Sequence, residues 1–238
     1  MKLVRRLRDG LLASGEYAAT ALYGLLHPAW RRSGATEHEE RSSLAGDELV
    51  SNPNWEATRA ITIAAAPETI WPWIAQMGYG RGGYYGDFPW WRDPEGHRGR
   101  NASANAILNN FQSLKAGDVL LDGPGCNERI GAWRVAALEP NQSLVLYSSR
   151  TPLSGQEVAY LHRRPRVYFD CSWAFILDPR GPGCTRLLVR SRARTVPSWI
   201  IHAMTVLRLG DTVMQRAMLQ GIKRRAEAAG SRDPTSAR

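Results

Sequence analysis

Three cysteines (Cys126, Cys171, Cys184) are all that 238 residues contain, with no CxxC pair and no histidine at ligand spacing. A disulfide framework and a structural zinc site are thereby excluded as organising devices. The three read as reduced, buried thiols of a cytosolic protein. Unbroken apolar runs of 18 residues are also missing, so a membrane-spanning helix is not expected. Catalytic signatures are equally scarce: there is no GxSxG, Walker A, HExxH or EF-hand loop, and the five histidines (His27, His38, His97, His162, His202) are scattered. One string, Gly78-Tyr79-Gly80-Arg81-Gly82-Gly83, matches GxGxxG, but a dinucleotide fingerprint needs a strand before it and a helix directly after it. Here a helical pattern precedes it and an aromatic loop follows. Neither a cofactor nor a metal is implied.

What is present is ordinary globular material. Hydrophobic residues make up 43% and charged residues 22% of the chain, with 9 Trp, 8 Tyr and 4 Phe, which suits one sizeable core and excludes wholesale disorder, collagen and coiled coil. The net charge of +9 is uneven: residues 159–238 carry 15 basic against 5 acidic side chains, and the first 158 nearly balance. A basic excess confined to the last third reads as a solvated strand face plus a helix end, not as a nucleic-acid track.

Along the chain, Leu3, Leu7, Leu11, Ala18, Leu22 and Leu25 share one helical stripe with Arg5, Arg6, Asp9 and Glu16 opposite. Residues 1–30 are therefore expected to form a basic amphipathic extension, packed on the body or lying on a membrane surface through residues 1–26. Glu16 inside the apolar stretch and the lack of a small-x-small site argue against a signal peptide. A polar linker, with a short helix around Glu37–Ser43, leads to the main domain, taken as 31–229, and a disordered tail is expected over 230–238. Ala57–Ala64 alternates as a half-buried strand. Pro67 then opens a helix in which Ile70, Trp73, Ile74 and Met77 recur at i, i+3, i+4, i+7, with Pro72 expected to kink it. Ala102–Phe111 reads as a second short helix. Strands are expected over Arg129–Leu138, Ser143–Ser149, Arg166–Leu177 and Thr185–Thr195, and a long helix over Pro197–Ala229, divided at Gly210-Asp211. No βαβ repetition follows the first strand, so the class is α+β: an antiparallel sheet covered by the apolar C-terminal helix, with room for a cavity between them.

Two patterns bear on function. Tyr84, Tyr85, Phe88, Trp90 and Trp91 crowd five large rings into eight residues, and each would forfeit about 1.5–3 kcal/mol if left in water. Such a loop either plugs the end of the sheet or walls a bound apolar molecule. Alternation in the last two strands sets Val167, Phe169, Cys171, Trp173, Phe175 and Leu177 on one face, and Leu187, Val189, Ser191 and Ala193 on one face of the next. Arg186, Arg190, Arg192 and Arg194 fall opposite and are expected in solvent, paired in part with Asp170. Small Ser191 and Ala193 beside bulky Trp173 and Phe175 would leave space for a ligand.

The run ATRAITIAAAPETIWPWIAQMGYGRGGYYGDFPWW (57–91), with GDEL (46–49), LKAGD (114–118) and MQRAMLQGIKRRAE (214–227), resembles a bacterial branch of the SRPBCC group. This is the helix-grip superfamily of START-like lipid-transfer domains, birch-pollen-allergen-like proteins and polyketide cyclase/dehydratases. The resemblance covers roughly 31–227. It implies a curved antiparallel sheet wrapped around a long C-terminal helix, two short helices after the first strand, and a deep apolar cavity. The implied function is binding or carriage of a hydrophobic small molecule, lipid-like or polycyclic aromatic, in a bacterial protein expected in the cytoplasm, free or associated with the membrane. The alternative is a polyketide cyclase/dehydratase acting in the same cavity. Expected ligand contacts are Trp73, Met77, Tyr84, Tyr85, Trp133, Phe169, Trp173, Phe175 and Met218, with Trp90 and Trp91 near the mouth. Candidate acids and bases are Arg81, Tyr84, Tyr85, Asp87 and Asp211. No nucleic-acid partner is expected.

Overall fold

A computed structural model describes residues 34–86, 103–123, 125–203 and 205–230, with residues 203 and 205–210 described through their backbone alone. The expected N-terminal helix, Asp87, Trp90, Trp91 and the tail beyond 230 lie outside the described residues. Helix α1 (Glu37–Arg41) opens on a capping box in which Glu39 N–H donates to Thr36 Oγ1 (3.2 Å) and Thr36 N–H donates to Glu39 Oε2 (2.8 Å). Strand β1 (Trp55–Ile63) follows, then helix α2 (Pro67–Ala75), started by Pro67 and containing Pro72. Its apolar face, Ile70, Trp73 and Ile74, is buried. The second short helix reduces to a 3-10 turn, Asn109–Phe111. Leu108 N–H and Gln112 both bond to the Gln76 side chain there, so the backbone groups of this stretch are satisfied by side chains instead of a helical ladder.

A three-residue strand β2 (Val119–Leu121), invisible in the sequence, precedes β3 (Ala132–Glu139), β4 (Ser143–Arg150), β5 (Tyr168–Gly181) and β6 (Cys184–Val196). The six strands form one antiparallel sheet in the order β1-β6-β5-β4-β3-β2. Trp173 pairs with Ser191, so a large side chain stands beside a small one there, whereas Ala193 pairs with Cys171 and Phe175 with Val189. A short α3 (Ile200–Ala203) leads to α4 (Thr205–Gly230). This helix runs unbroken through Gly210-Asp211, where a division was expected. Met218, Leu219, Ile222 and Ala226 on α4 are buried in the same core cluster as Ile63, Phe175 and Val189. At about 1.5–3 kcal/mol per large apolar side chain, this burial outweighs the cost of about 1 kcal/mol for Gly221 in mid-helix. Gly221 is required at that position: a Cβ would lie 1.9 Å from the Tyr85 carbonyl oxygen. The result is the helix-grip arrangement, an α+β fold with the sheet closed around its C-terminal helix.

The other face of the sheet corrects two expectations. Residues 34–50 are not a free linker but a strap across the outside of β5 and β6. Arg190 accordingly is buried and Arg186 and Arg192 are largely covered; of the four outward arginines only Arg194 is exposed. Glu39 takes Arg186 on both carboxylate oxygens (2.8 Å each), and Arg190 pairs with Asp47 at 2.8 Å. Asp170 is engaged instead by Tyr147 Oη and Arg164.

Candidate functional site

Between the concave face of the sheet and α4 lies a cavity of about 370 Å³. Its apolar wall is Trp55, Tyr84, Trp133, Trp173, Met214 and Met218, and two carboxylates, Asp122 and Asp211, reach it. Strand parity supplies the sheet side: Trp173 follows Cys171 by two on β5, and its register partner Ser191 is too small to fill the gap. Helix period supplies the other side, since Asp211, Met214, Gln215 and Met218 stand at i, i+3, i+4 and i+7. The rings pack among themselves. Trp173 stacks on Tyr84 (centroids 5.9 Å, 26°) and lies 5.6 Å from Trp133 and 4.8 Å from Phe175.

Each carboxylate is backed by a buried arginine. Asp122, just after β2, pairs with Arg150 at the end of β4. Arg150 also bonds Glu157 (2.9 Å) and lies 4.9 Å from the Trp133 ring centroid. Burial opposes the Arg150 charge, but Asp122 and Glu157 more than offset it and hold its pKa up. The second pair lies across the sheet, on β1 and α4. Arg59, fully buried, donates from Nη1 to Gln215 Oε1 (2.8 Å) and from Nη2 to Thr212 Oγ1 (2.7 Å), and its Nη1 is 3.8 Å from Asp211 Oδ2. Gln215 Nε2 donates to both Asp211 oxygens (2.8 and 3.0 Å) and to Ser191 Oγ (2.8 Å). The Asp211 side chain is 39% accessible and belongs to the cavity lining. Loss of water raises the Asp211 pKa, against the opposing pull of Arg59 and Gln215.

The expected site residues divide into two groups. Tyr84, Trp133, Trp173 and Met218 are on the cavity wall. Trp73, Met77, Tyr85 and Phe175 are buried in the core cluster, and half-buried Phe169 is off the lining. Tyr85, held at a φ of +56°, donates from Oη to the Trp73 carbonyl (2.8 Å). Burial raises its phenol pKa beyond any catalytic range. Arg81 is a capping group, donating to the carbonyls of Ala75, Met77 and Phe111 and stacking on the Phe111 ring. Tyr84 Oη donates to the Leu121 carbonyl (2.9 Å), and burial pushes its pKa well up. Of the candidate acids and bases, Asp211 alone is both described and open to the cavity with free acceptor capacity. Cys171 also touches the cavity, with burial pushing its thiol up to about 12, so it is an inert wall. Arg59, Asp122, Arg150 and Gln215 were not foreseen. The signal for two of them was strand parity, which places Arg59 with Ile61 and Ile63, and Arg150 with Leu144 and Leu146.

No protein-family model and no curated protein matches the chain. Solved structures similar to it include a protein from Arthrobacter aurescens (14% identity over 82% of this chain and 94% of that one, TM-score 0.39). Another is the di-domain ARO/CYC BexL of the BE-7585A biosynthetic pathway (16%, 74% and 47%, TM-score 0.34). A third is a norcoclaurine synthase point mutant from Thalictrum bound to a transition-state analogue (12%, 74% and 96%, TM-score 0.39). Likenesses this distant say nothing of ligand or chemistry.

Proposed function

We propose that the protein binds an apolar, ring-bearing small molecule, lipid-like or polycyclic aromatic, between the sheet and α4. The observation that carries this reading is the cavity of about 370 Å³ walled by Tyr84, Trp133, Trp173 and Met218. Its volume falls at the lower end of the range for small-molecule sites, and flexible methionines suit irregular apolar shapes. Native mass spectrometry of freshly purified protein tests for a retained molecule. The variant Trp173→Ala tests the wall. A residue that touches ligand changes the affinity for N-phenyl-1-naphthylamine when truncated. A residue that only fills core costs about 3–5 kcal/mol in a denaturant melt and leaves probe affinity per folded molecule unchanged, an outcome that overturns the assignment.

A second reading, a cyclase or dehydratase acting on a polyketide-like substrate, is favoured by one observation: Asp211 is a carboxylate of raised pKa on the wall of that cavity. Turnover of such a substrate, lost in Asp211→Asn with binding retained, would establish it. Contact of residues 1–26 with an anionic membrane is a separate part of the proposal. No described helix is long and apolar enough to span a bilayer. Co-sedimentation with anionic liposomes, compared between the full chain and one lacking residues 1–28, tests that contact, and equal partitioning removes it.

A further inference from the structure

We propose that Asp211 is the polar anchor of the cavity, accepting a hydrogen bond from an uncharged hydroxyl on an otherwise apolar ring-based ligand; this rests on the reading that the cavity takes such a ligand. Three features carry it. First, the carboxylate is held in place from the protein side: Gln215 Nε2 donates to both oxygens, and the Gln215 amide is itself fixed by Arg59 Nη1 at 2.8 Å and Ser191 Oγ at 2.8 Å. A carboxylate offers about four acceptor positions, so capacity remains on the accessible side. Second, that side faces aromatic and methionine surface: Trp55, Trp173, Met214 and Met218 share the lining with Asp211. A ligand ring that covers this surface displaces water from the carboxylate, and a hydrogen bond to a charged acceptor is stronger than one to a neutral acceptor.

Third, the countercharge is hidden. Arg59 lies 3.8 Å behind the carboxylate and is absent from the lining. Arg192, the cation that the lining does include, is engaged by Asp47 and Glu56. An anion entering the cavity therefore meets the carboxylates of Asp122 and Asp211 before it feels Arg59, and a cation gains little because Arg59 already offsets Asp211. A neutral donor such as a phenol or alcohol suffers neither cost. Met218, two helical turns along the same stripe, and Trp173 would cover the ring that carries the hydroxyl.

Isothermal titration of the purified full chain at neutral pH with 2-naphthol, 2-methoxynaphthalene and 2-naphthoate tests the anchor. The ring is the same in all three, and the donor is present, masked or replaced by an anion. The expected order is naphthol about tenfold tighter than its methyl ether, in keeping with one hydrogen bond to a charged group, and naphthoate weakest. In Asp211→Ala the naphthol advantage falls to within about twofold while the ether binds as before. Asp211→Asn, which keeps a carbonyl acceptor for Gln215, is the second variant should the first not fold, and it loses most of the advantage. Equal binding of naphthol and ether by the unmodified chain, or an unchanged advantage in whichever variant folds, overturns the anchor and leaves the cavity reading standing. Failure of all three to bind overturns both.

Discussion

On the convex face of the sheet, Arg190 donates from every N–H it owns: Nε to Thr58 Oγ1, Nη1 to the Ser42 carbonyl and Asp47, Nη2 to the carbonyls of Glu39 and Glu40. On the concave face Arg59, equally buried, donates from Nη1 and Nη2 only. Its Nε has no acceptor among the described residues, and its carboxylate stands off at 3.8 Å. A guanidinium has five donors, and burying it unsatisfied is expensive. The convex network is closed, as a device that pins a strap to a sheet must be. The concave one leaves a donor of Arg59 unmet and ends on Asp211, the member that reaches the cavity. Both arginines are buried, and the two networks differ in where they end, one on a strap and the other on an acceptor in the cavity wall.

The comparison breaks first at Arg190. Arg190→Met removes the donor that Asp47 and the carbonyls of Glu39, Glu40 and Ser42 share, and removal of one partner from a buried network costs about 3–5 kcal/mol. The expected outcome is a large fall in the urea midpoint, with the affinity of N-phenyl-1-naphthylamine per folded molecule unchanged. A loss of affinity without a loss of stability would reverse the roles given to the two faces.

Next in size is Glu39. Its hydrogen bonds with Arg186 lower its pKa from 4.5 to about 2, against the opposing effect of burial. The folded value is the lower one, so the stabilisation is fully present above the unfolded pKa and is lost as pH falls through the folded one. Urea melts should therefore show about 3 kcal/mol disappearing between roughly pH 4.5 and 2. In Glu39→Gln that slope flattens. A slope as steep as before would place the acid-sensitive group elsewhere.

The smallest stability effect is expected on the concave side. Asp211→Asn removes the counter-ion that stands 3.8 Å from buried Arg59 but keeps the Arg59 hydrogen bonds to Gln215 and Thr212 and an acceptor for Gln215, so the melt should move by about 1–2 kcal/mol. The same substitution is the one expected to alter ligand choice. A loss comparable to that of Arg190→Met would mark Asp211 as part of the scaffold.

The fold was legible where periodicity is strong. Ile70, Trp73 and Ile74 announce α2, and the alternation of Cys171 to Leu177 and of Leu187 to Ala193 announces β5 and β6 with the correct face inward. The strap was not, because its carboxylates Glu39 and Asp47 meet their arginines more than 140 positions away, and the rest of it docks through the carbonyls of Glu39, Glu40 and Ser42, which leave no trace in residue type. Four arginines in alternation looked solvated for that reason. At the site, Trp173 beside Ser191 was anticipated by size, whereas the Arg59 pairing with Asp211 joins positions 152 apart in sequence and needed the register of β1 against α4. Strand β2 spans three residues, too few to alternate.

Gly34 sits where the described chain begins, and its surroundings fix a direction. Its carbonyl accepts from Arg186 Nη2, its φ is +79°, and a Cβ would lie 2.2 Å from the Ala60 carbonyl oxygen. Gly34 therefore lies on the convex side, with the sheet itself standing between it and the cavity. A surface or bead coupled through the strap would take hold of the molecule by its back. Captured in that orientation, the protein would hold its concave side toward solution, so a sensor chip could load it by this face without the sheet turning the cavity inward.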